Sequence, residues 1–138
     1  MTAIEFVVLT PIMFTALMLT VQFVIFMFAK EAAQAAVRDG GRVAREQAGM
    51  RGTCPDWVGL ANAAVHTRAT SLGGSLLDVS KPVTTASTPD PAVGDLGACR
   101  LSTVSVEYVS AIPTIIPFMA PLTVDVVSDG PVEQFVQH

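Results

Sequence analysis

The chain has 138 residues, room for one domain beyond any membrane segment, and it is acidic, with eight Lys and Arg against twelve Asp and Glu. Hydrophobic residues make up 51%, but the excess is concentrated at the N-terminus. Residues 52–138 carry three basic and eight acidic side chains, so they lack the basic footprint that phosphate binding needs, which excludes a nucleic-acid partner.

The chain opens MTAIEFVVLTPIMFTALMLTVQFVIFMFAK, with no charged side chain from Phe6 to Ala29. Glu5 stands just before this run, and Lys30 and Glu31 just after it. At ~1.5 Å per residue the run makes a helix of ~36 Å, longer than the ~30 Å core of a bilayer. A secretory signal is a poor reading: nothing basic precedes the run, the run exceeds the usual ~7–15 residues, and no cleavage signature follows. The segment is expected to be retained, as a membrane anchor or as the core of an assembly. Residues 1–48 are predicted to form one long helix, with 1–29 the membrane or filament-core part and 30–48 an amphipathic part. Pro11 withholds the amide hydrogen bond to the Val7 carbonyl, so a kink is expected there. Beyond Lys30, the small residues Ala32, Ala36, Gly40 and Ala44 recur every four positions. Such a ridge admits close approach of another backbone, either the chain's own domain or another subunit. Gly40 and Gly41 each cost a helix ~1 kcal/mol against alanine, which close packing would offset.

GMRGTCP, residues 49–55, is a break, and 49–138 is expected to be a small extracytoplasmic α+β domain. A shorter helix is predicted from Asp56 or Trp57 to Ser71, capped by Asp56, with Val58, Ala61, Val65 and Leu72 at helical spacing. Trp57 reads as packing and His66 as a polar-face residue. Leu76–Val79 reads as a short strand, and 81–97, rich in Pro, Thr, Ser and Gly, as an exposed loop with extended character whose hydroxyls are candidate glycan carriers. The clearest strand is RLSTVSVEYVSAI, with Ser102, Val104, Val106 and Tyr108 on the inward face. PTIIPFMAP is an apolar segment interrupted by Pro113, Pro117 and Pro121. LTVDVVSD is a second strand with Leu122, Val124 and Val126 on one face. Asp129-Gly130 signals a turn, and PVEQFVQH a last edge strand. The fold class is therefore α+β: a long N-terminal hydrophobic helix, then a domain with one short helix and a small antiparallel sheet.

The two cysteines, Cys54 and Cys99, read either as one disulfide in an oxidising, extracytoplasmic compartment or as two buried thiols. A bridge would close a loop of more than forty residues, which loop-closure entropy values at ~4 kcal/mol. There is no Gly-rich phosphate loop, CxxC, HExxH or GxSxG, and one of the two histidines is the last residue. Asp90 and Asp95 are too sparse for calcium. No catalytic, metal or cofactor site is expected, and the chain does not read as an enzyme.

Glu5 is the constellation that remains. A carboxylate beside a long apolar helix is costly unless paired, and the nearest opposite charge in the sequence is the Met1 amine, one turn away. In a staggered bundle of identical helices, Glu5 of one subunit reaches the Met1 amine of another, and the pair sets register. MTAIEF followed by an unbroken apolar helix resembles the mature N-terminus of type IV pilins and pseudopilins. More specifically, Glu5, Phe6, Pro11, Ala33, Ala36, Gly40, Gly41 and Arg42 resemble the TadE/TadF-like pilin family of tight-adherence pilus systems.

That resemblance implies a structural pilin subunit that assembles through its N-terminal helix into an extracellular filament for adhesion or surface attachment. It makes Met1, Glu5, Phe6 and Pro11 the assembly residues, with the helix in the membrane before assembly and in the filament core after. It further implies a chain in mature, processed form with an often N-methylated first residue. The expected partners are other copies of the chain, the inner (cytoplasmic) membrane, a prepilin peptidase and the pilus assembly machinery. Main and minor pilin both stay open, and the alternative is a single-pass anchored extracytoplasmic binding protein that forms no filament.

Overall fold

The structure is a computed structural model that describes residues 3–48, 56–81, 83–89, 101–114 and 120–132. Helix α1, Ala3–Ala48, is continuous for 46 residues, so it is ~69 Å long. Pro11 lies inside it without ending it. Helix α2, Trp57–Gly73, starts where the Asp56 side chain accepts a hydrogen bond from the Gly59 amide at 2.9 Å, the N-cap arrangement expected for that residue. A 3-10 turn, Gly74–Leu76, follows. Strands β1 (Thr84–Pro89), β2 (Leu101–Ile112) and β3 (Leu122–Pro131) form one antiparallel sheet in the order β1-β2-β3. The architecture is α+β, with α1 packed on α2 and on the inner face of β2 and β3.

Alternation along β2 puts Val104, Val106, Tyr108, Ser110 and Ile112 in the core, and along β3 Val124 is the most buried residue, flanked by Leu122 and Val126. Ser102, expected on the inward face, is only partly buried. The helical half of the core consists of Ala29, Ala32, Ala33, Ala36, Val37, Ala44 and Ala48 of α1 against Ala61, Val65 and Ala69 of α2. With side chains this small, the two helix backbones lie close. A Cβ on Gly40 would stand 2.3 Å from Val65 Cγ2 and 3.2 Å from the Ala61 carbonyl oxygen. Arg68 and Asp39 join the helices at their rim, 3.0 Å apart and half exposed, a pair worth ~0–1 kcal/mol.

Four local expectations are corrected. Leu72 is not on the buried stripe of α2, which is Ala61, Val65, Ala69 and Gly73 at four-residue spacing; it lies one position off that stripe and is exposed. Leu76–Val79 is not a strand. The Asp78 amide donates to Ser110 Oγ at 2.8 Å and the Tyr108 hydroxyl donates to the Asp78 carbonyl at 3.0 Å, so side chains of β2 take the groups a ladder would have used. The Asp78 carboxylate accepts from the Ser80 amide at 3.1 Å and from the Ser80 hydroxyl, which closes a turn there. These bonds hold the Asp78 carboxyl below its ordinary range.

Within the expected loop 81–97, Thr84–Pro89 is an edge strand paired with β2, from Thr84 opposite Glu107 to Pro89 opposite Leu101. An edge position is where a strand tolerates proline, and its threonines favour extended backbone. Asp129-Gly130 is not a turn. Both residues belong to β3, opposite Ser105 and Val104, and a Cβ on Gly130 would stand 2.7 Å from Arg45 Nη1, so the glycine makes way for a side chain of α1. The expected last strand and Ile115–Met119 lie outside the described residues, except that the Val132 amide donates to the Ser102 carbonyl at 2.9 Å.

Two measurements check this packing. Gly40→Ala is expected to lose about 1–3 kcal/mol in thermal or denaturant unfolding, because Val65 and a backbone oxygen must shift. Gly41→Ala faces the rotatable Ser128 hydroxyl and is expected to stay within ~0.5 kcal/mol of the parent. Burial pushes the Tyr108 hydroxyl above its ordinary value near 10. A raised folded-state value contributes stability that is complete below the unfolded value and is lost as pH rises through the folded one. Tyr108 is the only tyrosine, so absorbance titration should show phenolate forming later in the folded chain than in the unfolded one. Tyr108→Phe is expected to cost ~1 kcal/mol at neutral pH through its lost hydrogen bond, and to remove that alkaline decline.

Candidate assembly surface

Helix α1 divides into two parts by what covers it. From Ala29 upward, one face is buried by the chain's own α2 and sheet. From Ile4 to Val21 nearly every side chain is exposed, with Ile4 at 77%, Phe6 at 71% and Phe14 at 63%. Fully burying a side chain of this kind is worth ~1.5–3 kcal/mol, and fifteen large apolar residues between Ile4 and Phe28 are exposed. The helix is long and apolar enough to cross a membrane.

The polar groups of this segment are already adapted to an apolar surrounding. The Thr10 hydroxyl donates to the Phe6 carbonyl at 2.7 Å, Thr15 to the Pro11 carbonyl at 2.7 Å and Thr20 to the Ala16 carbonyl at 2.9 Å. Each hydroxyl is satisfied within its own helix, so none needs water or a neighbour. Around Pro11 the surface is notched: Pro11, Ile12, Thr15, Ala16 and Leu19 line a shallow apolar groove, in which Thr15 and Ala16 leave space between the larger side chains. A groove of this kind accepts a side-chain ridge of another helix.

Of the sequence-predicted site residues, Glu5 and Phe6 lie in the exposed first turns of α1, and Pro11 lies on the same uncovered stretch. Met1, Cys54 and Cys99 lie outside the described residues. Ala32, Ala36, Gly40 and Ala44 are buried inside the chain itself, against α2 and the sheet, apart from the exposed stretch that holds Glu5, Phe6 and Pro11. His66 and Asn62, four positions apart on α2, are partly buried, and His66 Nδ1 and Asn62 Oδ1 have no hydrogen-bond partner among the described residues. Among the described residues no three His, Cys, Asp or Glu side chains come together as a metal set.

The sequence reading missed two features. The threonine spacing 10, 15, 20 announces self-satisfied hydroxyls once the segment is taken as helix. Gln22, buried to 3% exposure, marks where the chain's own domain begins to cover α1, and nothing in the apolar run signals that.

A family model described as TadE-like protein matches residues 1–42, just under a third of the chain. No curated protein and no solved structure matches the chain. The matched stretch contains Glu5, Phe6, Pro11, Ala33, Ala36, Gly40, Gly41 and Arg42, the residues that carried the resemblance. The N-terminal third is thus similar to the TadE-like family, a pilin-like structural family. A family of this kind implies assembly into a pilus with other subunits.

Proposed function

We propose that this chain is a structural subunit of a tight-adherence type pilus, inserted in the cytoplasmic membrane through the lower part of α1 and then packed by that same segment against other copies in an extracellular filament. The observation that carries this reading is the uncovered apolar stretch Ile4–Val21, which needs lipid or other helices around it. The self-bonded threonines and the groove around Pro11 support both surroundings, because neither demands water. Glu5 is the residue that distinguishes assembly from mere anchoring. In a filament core its carboxylate pairs with the N-terminal amine of a neighbour, and a slip of one helical turn would leave both charges unpaired.

Glu5→Ala and Glu5→Val are expected to remain in the membrane fraction while incorporation into filaments falls at least tenfold, read by immunoblot of sheared filaments against membranes. Filaments in normal amount would remove the pairing argument. Leader removal by a prepilin peptidase and methylation of the first residue belong to the same reading. N-terminal mass spectrometry of native protein is expected to find Met1 first, with the mass of one added methyl group. Upstream residues still attached in the functional form would favour an anchored binding protein instead.

A further inference from the structure

The uncovered part of α1 has two unlike sides. Each helical residue advances ~100°. Glu5, Ile12 and Leu19 are seven apart, so they share one side with a drift of only ~20° per step. Pro11, Thr15 and Ala16 complete that side, and with Ile12 and Leu19 they line the shallow groove. The groove is notched in its middle because Thr15 and Ala16 are short, and because the Thr15 hydroxyl folds back onto the Pro11 carbonyl. Phe6, Met13, Leu17, Val24 and Phe28, spaced 7, 4, 7 and 4, stand ~150° round the helix from that notch. All five are more than half exposed. One side of the helix is thus a notch and the other a ridge of large side chains.

Two copies facing each other across a two-fold axis would set notch against notch or ridge against ridge. Both sides are satisfied when the ridge of each copy enters the notch of the next. Such a contact is heterologous, and where its rotation does not close it propagates as an open helix. The charge on the notch side selects the same partner. Glu5 stands on that side, and in the proposed function its carboxylate meets the N-terminal amine of a neighbour, so the copy that brings the amine lies against the notch. With its first residue level with Glu5, that copy is raised by four residues, ~6 Å. Its Met13 then comes level with Leu17 of the first chain. A helical side chain leans about one position toward the N-terminus, so this methionine covers Ala16. The Phe6 and Leu17 side chains of the raised copy come level with Thr10 and Val21, just beyond either end of the groove.

We propose that Met13 of one copy fills the notch over Thr15 and Ala16 of the next, so that the filament core repeats a single ridge-to-notch contact. The occupant is a second copy of this chain, because α1 itself supplies both the charge that complements Glu5 and the ridge that matches the notch. Methionine suits the position, since its unbranched, flexible side chain fills irregular gaps. The inference rests on the filament reading of the proposed function and adds which side of α1 meets which.

Two differently tagged forms of the full chain are co-expressed, one with Met13→Cys and the other with Ala16→Cys, and sheared filaments are oxidised. The expected product is a disulfide-linked dimer carrying both tags, at least fivefold more abundant than the dimers that either form gives alone. Ala16→Phe is expected to lower incorporation into filaments at least fivefold at an unchanged membrane level. Met13→Ala added to that chain should restore at least half of the loss, because the filled notch then meets a shortened ridge. Filaments that contain both cysteine forms but no mixed dimer overturn the contact and leave the filament subunit standing. Like-with-like dimers as abundant as mixed ones overturn its heterologous character, and normal incorporation of Ala16→Phe overturns the notch. A native chain absent from sheared filaments overturns the filament reading, and the contact with it.

Discussion

One helix has to satisfy two different surroundings, and the packing of α1 against the chain's own domain decides where one ends and the other begins. Above Ala29, alanine and glycine let α2 and the sheet close on the helix. Below Gln22 the same helix continues with no covering from its own chain among the described residues. The core is built of small residues and its packing energy comes from close backbone approach, so substituting bulk there costs more than the residue types suggest. The lower part is built of large residues, and fifteen exposed apolar side chains represent on the order of tens of kcal/mol awaiting burial.

This division bears on how assembly works. Ala32, Ala36, Gly40 and Ala44 are buried inside the chain, so that ridge is already occupied by the chain's own domain. In the proposed function, contacts between subunits fall to the stretch from Glu5 to about Phe28, where Pro11 and the small residues after it shape a groove. The threonines make that segment indifferent between lipid and neighbouring helices, since each hydroxyl carries its acceptor with it. A segment that moves from one apolar surrounding to another exchanges little solvation energy. In the proposed function, selectivity then falls to the few polar groups that are sensitive to register, and Glu5 is the one proposed for that role.

The long helix and the N-cap of α2 were legible in the sequence because each rests on local chemistry: an apolar run of sufficient length, an Asp before a helical pattern. The inward face of β2 was legible because alternation along one strand is a local property, and its two departures, Leu101 buried and Ser102 only partly so, lie at the strand's start. The misses have a shared cause. Thr84–Pro89 became a strand because β2 offered an edge, Asp129-Gly130 stayed in a strand because β2 continues opposite it, and Leu76–Val79 became a turn because Tyr108 and Ser110 took its backbone groups. In each case a residue far along the chain outweighed the local preference.

The sequence by itself determined that a long apolar helix with a carboxylate in its first turn leads into a small acidic α+β domain, and that its first third resembles the pilin family whose model matches residues 1–42. Composition, periodicity and a short motif suffice for that, because they act through neighbours in the chain. Only the tertiary structure decided which turns of the helix the domain covers, and so that the small-residue ridge serves the subunit's own core while the stretch around Pro11 is left uncovered. That division depends on how α2 and the sheet pack against α1, which strand register and close helix approach set together.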